Sequence, residues 1–307
     1  MTQVTRTLVE DALKYFYRCA EQNLPATVEG VVGALGVSGA EALEVCKRLQ
    51  AAGLVQWGEG QLGLTDAGRH YALQVIRAHR LYETYLAQQT GHQAEAWHRR
   101  ADAEEHKLSP EQVNALARQL GHPRYDPHGD PIPTADGRVV AREGVSLAKW
   151  PVGEPGRIVH IEDEPEAAYA ELSAAGLCSG MDVRVTHSDA ERVVVEYEGQ
   201  RQSFSPMVAS HVSVMASPAA LPVEVQRALV PLSALKPGER GRVMTISPRC
   251  RGAERRRLLD LGIVPGTEIA VDLEGPLGDP RAYRVRQTLV ALRREQADWI
   301  MVVKEAA

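Results

Sequence analysis

His79-Arg80-Leu81-Tyr82-Glu83 and, further along, Trp97-His98-Arg99-Arg100-Ala101-Asp102-Ala103-Glu104-Glu105-His106 are the residues on which the reading of this chain turns. Placed on helices, His79 and Glu83 share a face, as do His98 and Asp102, and Asp102 and His106, while Glu105 follows Asp102 by three residues. Each helix thus gathers imidazoles and carboxylates on one stripe. A first-row divalent ion takes nitrogen and hard oxygen donors held on rigid elements. The same spacing also occurs on solvated helix faces that carry local ion pairs, so the neighbouring sequence has to discriminate.

Upstream, residues 5 to 22 read as a helix with Leu8, Ala12, Tyr15, Phe16 and Cys19 on one side, and with Glu10 and Asp11 near its start, where acidic groups suit the helix dipole. Thr27 opens a short helix over Val28 to Leu35. Gly36-Val37-Ser38 turns the chain, and a second helix runs from Ser38 or Gly39 to Ala52, closed by Gly53. Leu54 to Trp57 and Gln61 to Leu64, joined through Gly58-Glu59-Gly60, read as a hairpin. Helix, short turn, helix, hairpin is the pattern of a winged helix-turn-helix. Its charge is unusual for a DNA reader: residues 1–72 hold six basic residues against eight acidic ones, and the exposed face of the reading helix carries Glu41 and Glu44. Phosphates repel such a face, although Glu can accept from cytosine in the major groove.

Thr65-Asp66-Ala67-Gly68 caps a long helix to about Gln89, closed by Gly91, and Gln93 to Leu108 reads as the helix bearing His98 to His106. Ser109-Pro110-Glu111-Gln112 starts another, with Ser at the N-cap, Pro at the first helical position and Gln at the third. Residues 121–144 are interrupted by prolines and glycines and read as a linker or a long ordered loop. Beyond them lies an internal repeat. Gly153-Glu154-Pro155-Gly156-Arg157-Ile158-Val159 matches Gly238-Glu239-Arg240-Gly241-Arg242-Val243-Met244, and Leu177 to Val183 matches Ile263 to Ile269. Two small strand-rich barrels follow from this, linked through Ser217 to Pro222. The second copy is expected to insert a basic helix, Glu254 to Gly262 with Arg255, Arg256 and Arg257, on a stretch with 14 basic and 10 acidic residues over 231–307.

With 307 residues and a net charge of −5, the chain has room for several domains and no bulk attraction for nucleic acid. Its four cysteines, Cys19, Cys46, Cys178 and Cys250, are far apart, which excludes a disulfide framework or a Cys-rich zinc site and fits a reducing, cytoplasmic setting. No run approaches the roughly 20 apolar residues of a membrane span, so no membrane insertion is expected. A metallohydrolase is disfavoured because no nucleophile or separate general base stands near the ligands.

The order of winged helix, metal-bearing helices, Pro-rich loop and small barrel resembles the diphtheria-toxin-repressor family of metal-dependent transcriptional regulators. Leu64 to Gly68, Ala78 to Glu83, Glu104-Glu105-His106 with Leu108-Ser109, and Gly129-Asp130-Pro131-Ile132-Pro133 carry the resemblance. The second barrel, from Leu235-Lys236-Pro237-Gly238 to Gly262-Ile263-Val264-Pro265-Gly266, resembles the ferrous-iron-transport accessory protein FeoA, which makes both barrels SH3-like. The implied fold is α+β: a winged helix-turn-helix over 1–72, an all-α metal-binding and dimerisation domain over 73–144, and FeoA-type barrels over 145–216 and 230–307. The resemblance implies a primary metal position at Asp11, Asp102, Glu105 and His106 and an ancillary one at His79, Glu83 and His98, with Glu166 as a barrel-derived candidate. Iron-sensing members often place Met and Cys where this chain has Asp11 and Asp102. An all N/O set suits Fe²⁺ or Mn²⁺, while Lys14 stands where the manganese branch can carry a second carboxylate. The expected function is a cytosolic homodimer that binds Fe²⁺ or Mn²⁺ and then a double-stranded DNA operator, with Ser38, Glu41 and Glu44 toward base edges and Lys47 and Arg48 toward phosphates. The alternative is a metal-sensing accessory protein acting on a ferrous iron transporter in the membrane, motivated by the acidic reading helix and the FeoA-like second barrel.

Overall fold

Helix α1 (Arg6–Glu21) begins where the Thr5 hydroxyl accepts from the Leu8 N–H, and its buried Ala12, Leu13, Phe16 and Cys19 recur at the helical period. Thr27 caps α2 (Val28–Leu35) in the same way, and Gly36 ends it at φ +63°, a left-handed turn that suits glycine. Ser38 and Glu41 form a capping box at the start of α3 (Gly39–Ala51), and Gly53 at φ +68° turns the chain out of it. Strands β1 (Val55–Gly58) and β2 (Gln61–Leu64) pair antiparallel with Val55 opposite Leu64; the remainder of the expected hairpin tip, 59–60, lies outside the described residues. Leu13, Phe16, Val45, Leu49, Val55 and Leu62 form one core with Ala72, Leu73 and Ile76 of the next helix. The chain is thus a winged helix-turn-helix at its N-terminal end.

This computed structural model describes residues 5–58, 61–90, 92–217, 221–275 and 278–305. Its contacts divide it into two units: one takes in the chain to Leu86 with Ala96–Asp126 and Asp130–Ala141, the other Ala87–Glu95, Pro127–Gly129 and Arg142 onward. In the first unit, α4 (Asp66–Gln89) starts on Thr65, whose hydroxyl accepts from the Gly68 N–H and donates to the Gly53 carbonyl. Gly68 lies flat on the hairpin, and a Cβ there would stand 1.8 Å from the Leu54 carbonyl oxygen. The expected closure of α4 at Gly91 falls outside the described residues. The expected helix over 93–108 is shorter: a 3₁₀ turn at Ala94–Ala96 leads into α5 (Trp97–Glu105), and His106 is its C-cap. Ala96 is the N-cap of α5 and makes no side-chain bond to the first N–H groups of that helix. Helix α6 (Pro110–Gln119) carries the expected Ser109–Gln112 capping box. Ala78, Leu81, Val113, Ala117 and Ile132 make a small second core. The Pro/Gly-rich segment is an ordered loop. The Arg80 guanidinium donates to the Pro131 carbonyl at 2.7 Å and faces Asp130 and Asp126 at 3.4 and 3.8 Å.

The second unit contains two copies of one six-stranded antiparallel sheet. The first copy comprises β3 (Val145–Ser146), β4 (Pro155–Ile161), β5 (Asp182–Ser188), β6 (Val193–Tyr197), β7 (Gln200–Phe204) and β8 (Val212–Ala216), in the order β3-β8-β4-β5-β6-β7. It also holds the helices α7 (Glu166–Ala174) and α8 (Pro206–Ser210). After a short helix α9 (Val223–Ala228), the second copy comprises β9 (Leu229–Pro231), β10 (Arg240–Ile246), β11 (Glu268–Glu274), β12 (Arg281–Val285), β13 (Thr288–Leu292) and β14 (Ile300–Lys304), in the equivalent order β9-β14-β10-β11-β12-β13, with α10 (Gly252–Asp260) and α11 (Arg294–Asp298). Both are small SH3-like barrels, as the repeat implied, and the fold class is α+β. Even the register irregularities recur, between Ile158 and His160 and between Val243 and Thr245. The basic helix is not an insertion: α7 occupies the same place in the first copy, and Leu172 and Leu258 are both fully buried from these helices. Its Ala-rich sequence hid the correspondence. Arg255 is also no solvated charge, because its guanidinium donates to the carbonyls of Ile246, Ser247 and Cys250.

Gly68→Ala pushes the first turn of α4 off the Leu54 carbonyl, and a loss of about 1–3 kcal/mol in unfolding free energy is expected from such overpacking. Urea unfolding monitored by circular dichroism checks this, and an unchanged midpoint would show that the hairpin yields freely.

Candidate metal centre

Three helices of the first unit supply the site. Helix α4 brings His79 and Glu83 on successive turns, α5 brings His98, Asp102 and Glu105 and ends at His106, and α1 contributes Glu10, Asp11 and Lys14. All seven sequence-derived candidates come together. The His79 Nε2 and His98 Nδ1 lie 3.1 and 3.5 Å from the Glu83 Oε1, and the two rings meet edge to face at 4.8 Å between centroids. On the other side, the His106 Nε2 lies 3.2 Å from the Asp11 Oδ1 and 3.4 Å from the Glu105 Oε1. Between these groups the His79 Nδ1 faces Glu105 at 2.5 Å and Asp102 at 3.3 Å.

Three donor sets result, His79–Glu83–His98, Asp11–Glu105–His106 and His79–Asp102–Glu105, and in each set the ligand atoms lie within 4.8 Å of one another. Donors on one first-row ion stand about 3–4 Å apart, as follows from bonds of about 2.1 Å. The nitrogen and carboxylate donors therefore fit a divalent ion in spacing and in chemistry. None of the four cysteines belongs to these sets, which favours a harder ion of the Fe²⁺ or Mn²⁺ kind.

The electrostatics describe a site held together by protons and fixed cations. Burial disfavours the His79 imidazolium, but the Glu83 charge and the bonds to Asp102 and Glu105 hold its pKa well above the ordinary value. Burial also works against the His106 imidazolium, and bonds to Asp11 and Glu10 with the Glu105 charge outweigh it, raising its pKa to about 9. Asp102 is lowered: burial opposes its ionised form, yet the His79 bond and the Lys14 charge prevail.

Glu10 is the functional candidate that the sequence reading passed over as a first-turn charge. It is buried, and its carboxylate accepts from the His106 Nδ1 at 2.6 Å, from the Tyr71 hydroxyl at 2.6 Å and from the Arg6 guanidinium at 2.7 Å. Holding Nδ1 turns Nε2 of the same ring toward Asp11 and Glu105, the arrangement by which a second carboxylate orients a metal-ligating histidine. The signal was available: Glu10 lies three residues before Leu13 and seven before Tyr17, on their buried face.

The DNA-side candidates all lie on or at α3. Glu44, Lys47 and Arg48 are exposed, with the Arg48 guanidinium 3.4 Å from Glu44. Ser38 and Glu41 are joined to each other, since the Ser38 N–H and hydroxyl both donate to the Glu41 Oε2 at 3.0 and 2.8 Å; contact with a base edge would compete with the helix cap. Glu166 stands exposed at the first residue of α7 in the other unit.

Comparison with known proteins places these features. Residues 65–134 match the model for the metal-binding and dimerisation domain of iron-dependent repressors, and residues 145–216 and 230–304 each match the FeoA domain. The chain is 27% identical over 213 residues to the iron-dependent repressor IdeR of Mycobacterium leprae, covering 65% of this chain and 92% of that one. It is 40% identical over 89 residues to a probable metal transport system membrane protein of Chlamydia trachomatis, a match to 29% of this chain that spans only 19% of that protein. Among solved structures, a manganese-dependent transcriptional repressor in complex with manganese superposes with a TM-score of 0.62 at 28% identity, over 68% of this chain and all of that one. With the metal-binding and dimerisation domain of the iron-dependent repressors matched over 65–134, and a manganese-dependent repressor matched over 68% of this chain, the chain belongs to the diphtheria-toxin-repressor family of metal-dependent transcriptional regulators and carries two FeoA domains.

Proposed function

We propose that this chain is a dimeric transcriptional regulator that responds to Fe²⁺ or Mn²⁺ at the junction of α1 with α4 and α5 and, in that state, binds an operator in double-stranded DNA. The observation that carries the reading is the meeting of Asp11, on a helix packed into the winged-helix core, with Glu105 and His106 at the end of α5. A bound divalent ion supplies the positive charge that lets these carboxylates share one small volume. Asp11 then ties the reading head to the helical domain, Glu10 keeps the His106 ring aimed at the junction, and His79, Glu83 and His98 anchor α4 to α5. With the head fixed, Lys47 and Arg48 of α3 are placed for phosphates and Ser38, Glu41 and Glu44 for base edges. In a dimer, the two α3 helices would enter successive major-groove faces about 34 Å apart. The matches to repressors of iron and manganese support this choice of ions.

Fluorescence anisotropy on genomic fragments, with apo protein and with Fe²⁺ or Mn²⁺ added anaerobically, is expected to show ion-dependent retention of a few fragments. Asp11→Ala should abolish the ion dependence, and retention of the same fragments with or without metal in both proteins would refute the reading.

Loading also depends on pH. The His106 pKa lies near 9 in the folded chain against about 6.5 in an unfolded one. Its ion pairs therefore contribute stability that is fully present below about pH 6.5 and is lost as pH rises through 9. A divalent ion needs the neutral ring, so it gains affinity over the same window. Melting curves in EDTA should fall between pH 6.5 and 9, and the gap to curves with Mn²⁺ should widen. A gap that is constant with pH would remove His106 from the ligand set.

A further inference from the structure

Lys14 sits inside the metal centre. Its ammonium stands 3.0 Å from the Asp102 Oδ1 and 2.8 Å from the Glu105 Oε1, and the Glu105 side chain is fully buried. These two oxygens are also the ones that face the ligand histidines: Asp102 Oδ1 is 3.3 Å from the His79 Nδ1, and Glu105 Oε1 is 3.4 Å from the His106 Nε2. The ammonium thus bonds the carboxylates of the middle donor set, His79–Asp102–Glu105, which shares His79 with one flanking set and Glu105 with the other. Lysine suits this place, because its ammonium is a compact point charge with three donors on a flexible stem. It reaches the set from α1, one turn after Asp11, so the same helix supplies an anion to one donor set and a cation to the next.

We propose that Lys14 is a built-in cation of this centre: its ammonium occupies the middle donor set in place of a divalent ion, so that each chain holds one ion fewer than its carboxylates could carry. The inference rests on the metal-binding reading above. A charge attached to α1 cannot diffuse away, so Asp102 and Glu105 stay compensated at any metal concentration. The flanking sets remain to respond to the ion, and an ion at Asp11–Glu105–His106 has to share the Glu105 Oε1 with the lysine.

Mn²⁺ titration of the full-length chain, followed by native mass spectrometry and by melting curves, tests this with Lys14→Arg, Lys14→Met and Lys14→Glu. Lys14→Arg should bind as many Mn²⁺ per chain as the wild type. Lys14→Glu and Lys14→Met should each gain one Mn²⁺ per chain. In EDTA both should melt below the wild type, and Mn²⁺ should raise their melting temperatures more than it raises that of the wild type, a rescue that a lysine of purely structural value would not give. Should either variant be too unstable to purify without metal, its recovery when Mn²⁺ is present throughout expression supports the same conclusion. Equal Mn²⁺ counts in all four proteins overturn the inference about Lys14 while leaving the metal reading intact. Absence of Mn²⁺ and Fe²⁺ uptake in all four overturns both.

Discussion

Carboxylate repulsion is the constraint on which the helical unit depends. Glu10, Asp11, Glu83, Asp102 and Glu105 converge from three helices into one partly buried volume. Two carboxylates about 4 Å apart repel by about 4 kcal/mol at an effective dielectric near 20, so the cluster forms only with compensation. This comes from Arg6 on Glu10, Lys14 on Asp102 and Glu105, and the raised pKa values of His79 and His106. On the proposed reading, metal entry exchanges ions for protons while Lys14 and Arg6 stay in place. A response to metal built this way is also a response to pH, since both cations compete for the same imidazole nitrogens.

The surrounding structure carries that constraint outward. Glu10 is bonded to Tyr71 of α4 as well as to His106, so a change at the junction reaches the helix that leaves the hairpin. Thr65 and Gly68 seat the first turn of that helix against Gly53 and Leu54, the exit from α3. The path from the donor cluster to α3 therefore runs through short, packed contacts. At the other end of the unit, Arg80 follows His79 directly and grips the loop at Asp126, Asp130 and Pro131. The ligand face and the loop-holding face of α4 are adjacent, so neither can rotate without the other.

Much of this was legible before any coordinates. Periodicity and caps located α1 to α4 and α6, because Thr27, Ser38, Ser109 and Gly53 act within a few residues of themselves. Spacing found the clustered donors on α4 and α5 for the same reason: His79 with Glu83 and His98 with Asp102 are local pairs. What escaped was set by contacts across elements. Whether Glu10 or Asp11 faced inward depended on the packing of α1 against α4, and the position of Lys14 on Asp102 and Glu105 spans 88 and 91 residues of sequence. The segment 121–144 was ambiguous because prolines and glycines describe a linker and an ordered loop equally well; the buried Asp126 and Asp130, held by Arg80, decide between them. In the barrels the repeat was visible at its Gly-rich turns, but α7 was missed because Ala-rich helices repeat a shape and not a motif.

That last case says where the two FeoA domains have diverged. Strand order, register irregularities and the buried leucines at 172 and 258 are held in common, so the core tolerates one solution. The helices that carry those leucines differ on their outer faces: α7 begins at Glu166 and has Glu171, whereas α10 carries Arg255, Arg256 and Arg257. Of these arginines only Arg255 is tied to the carbonyls of its own domain, while Arg256 and Arg257 are exposed. The shared core specifies the fold, and the exposed faces of the two helices are free to differ in charge without disturbing it.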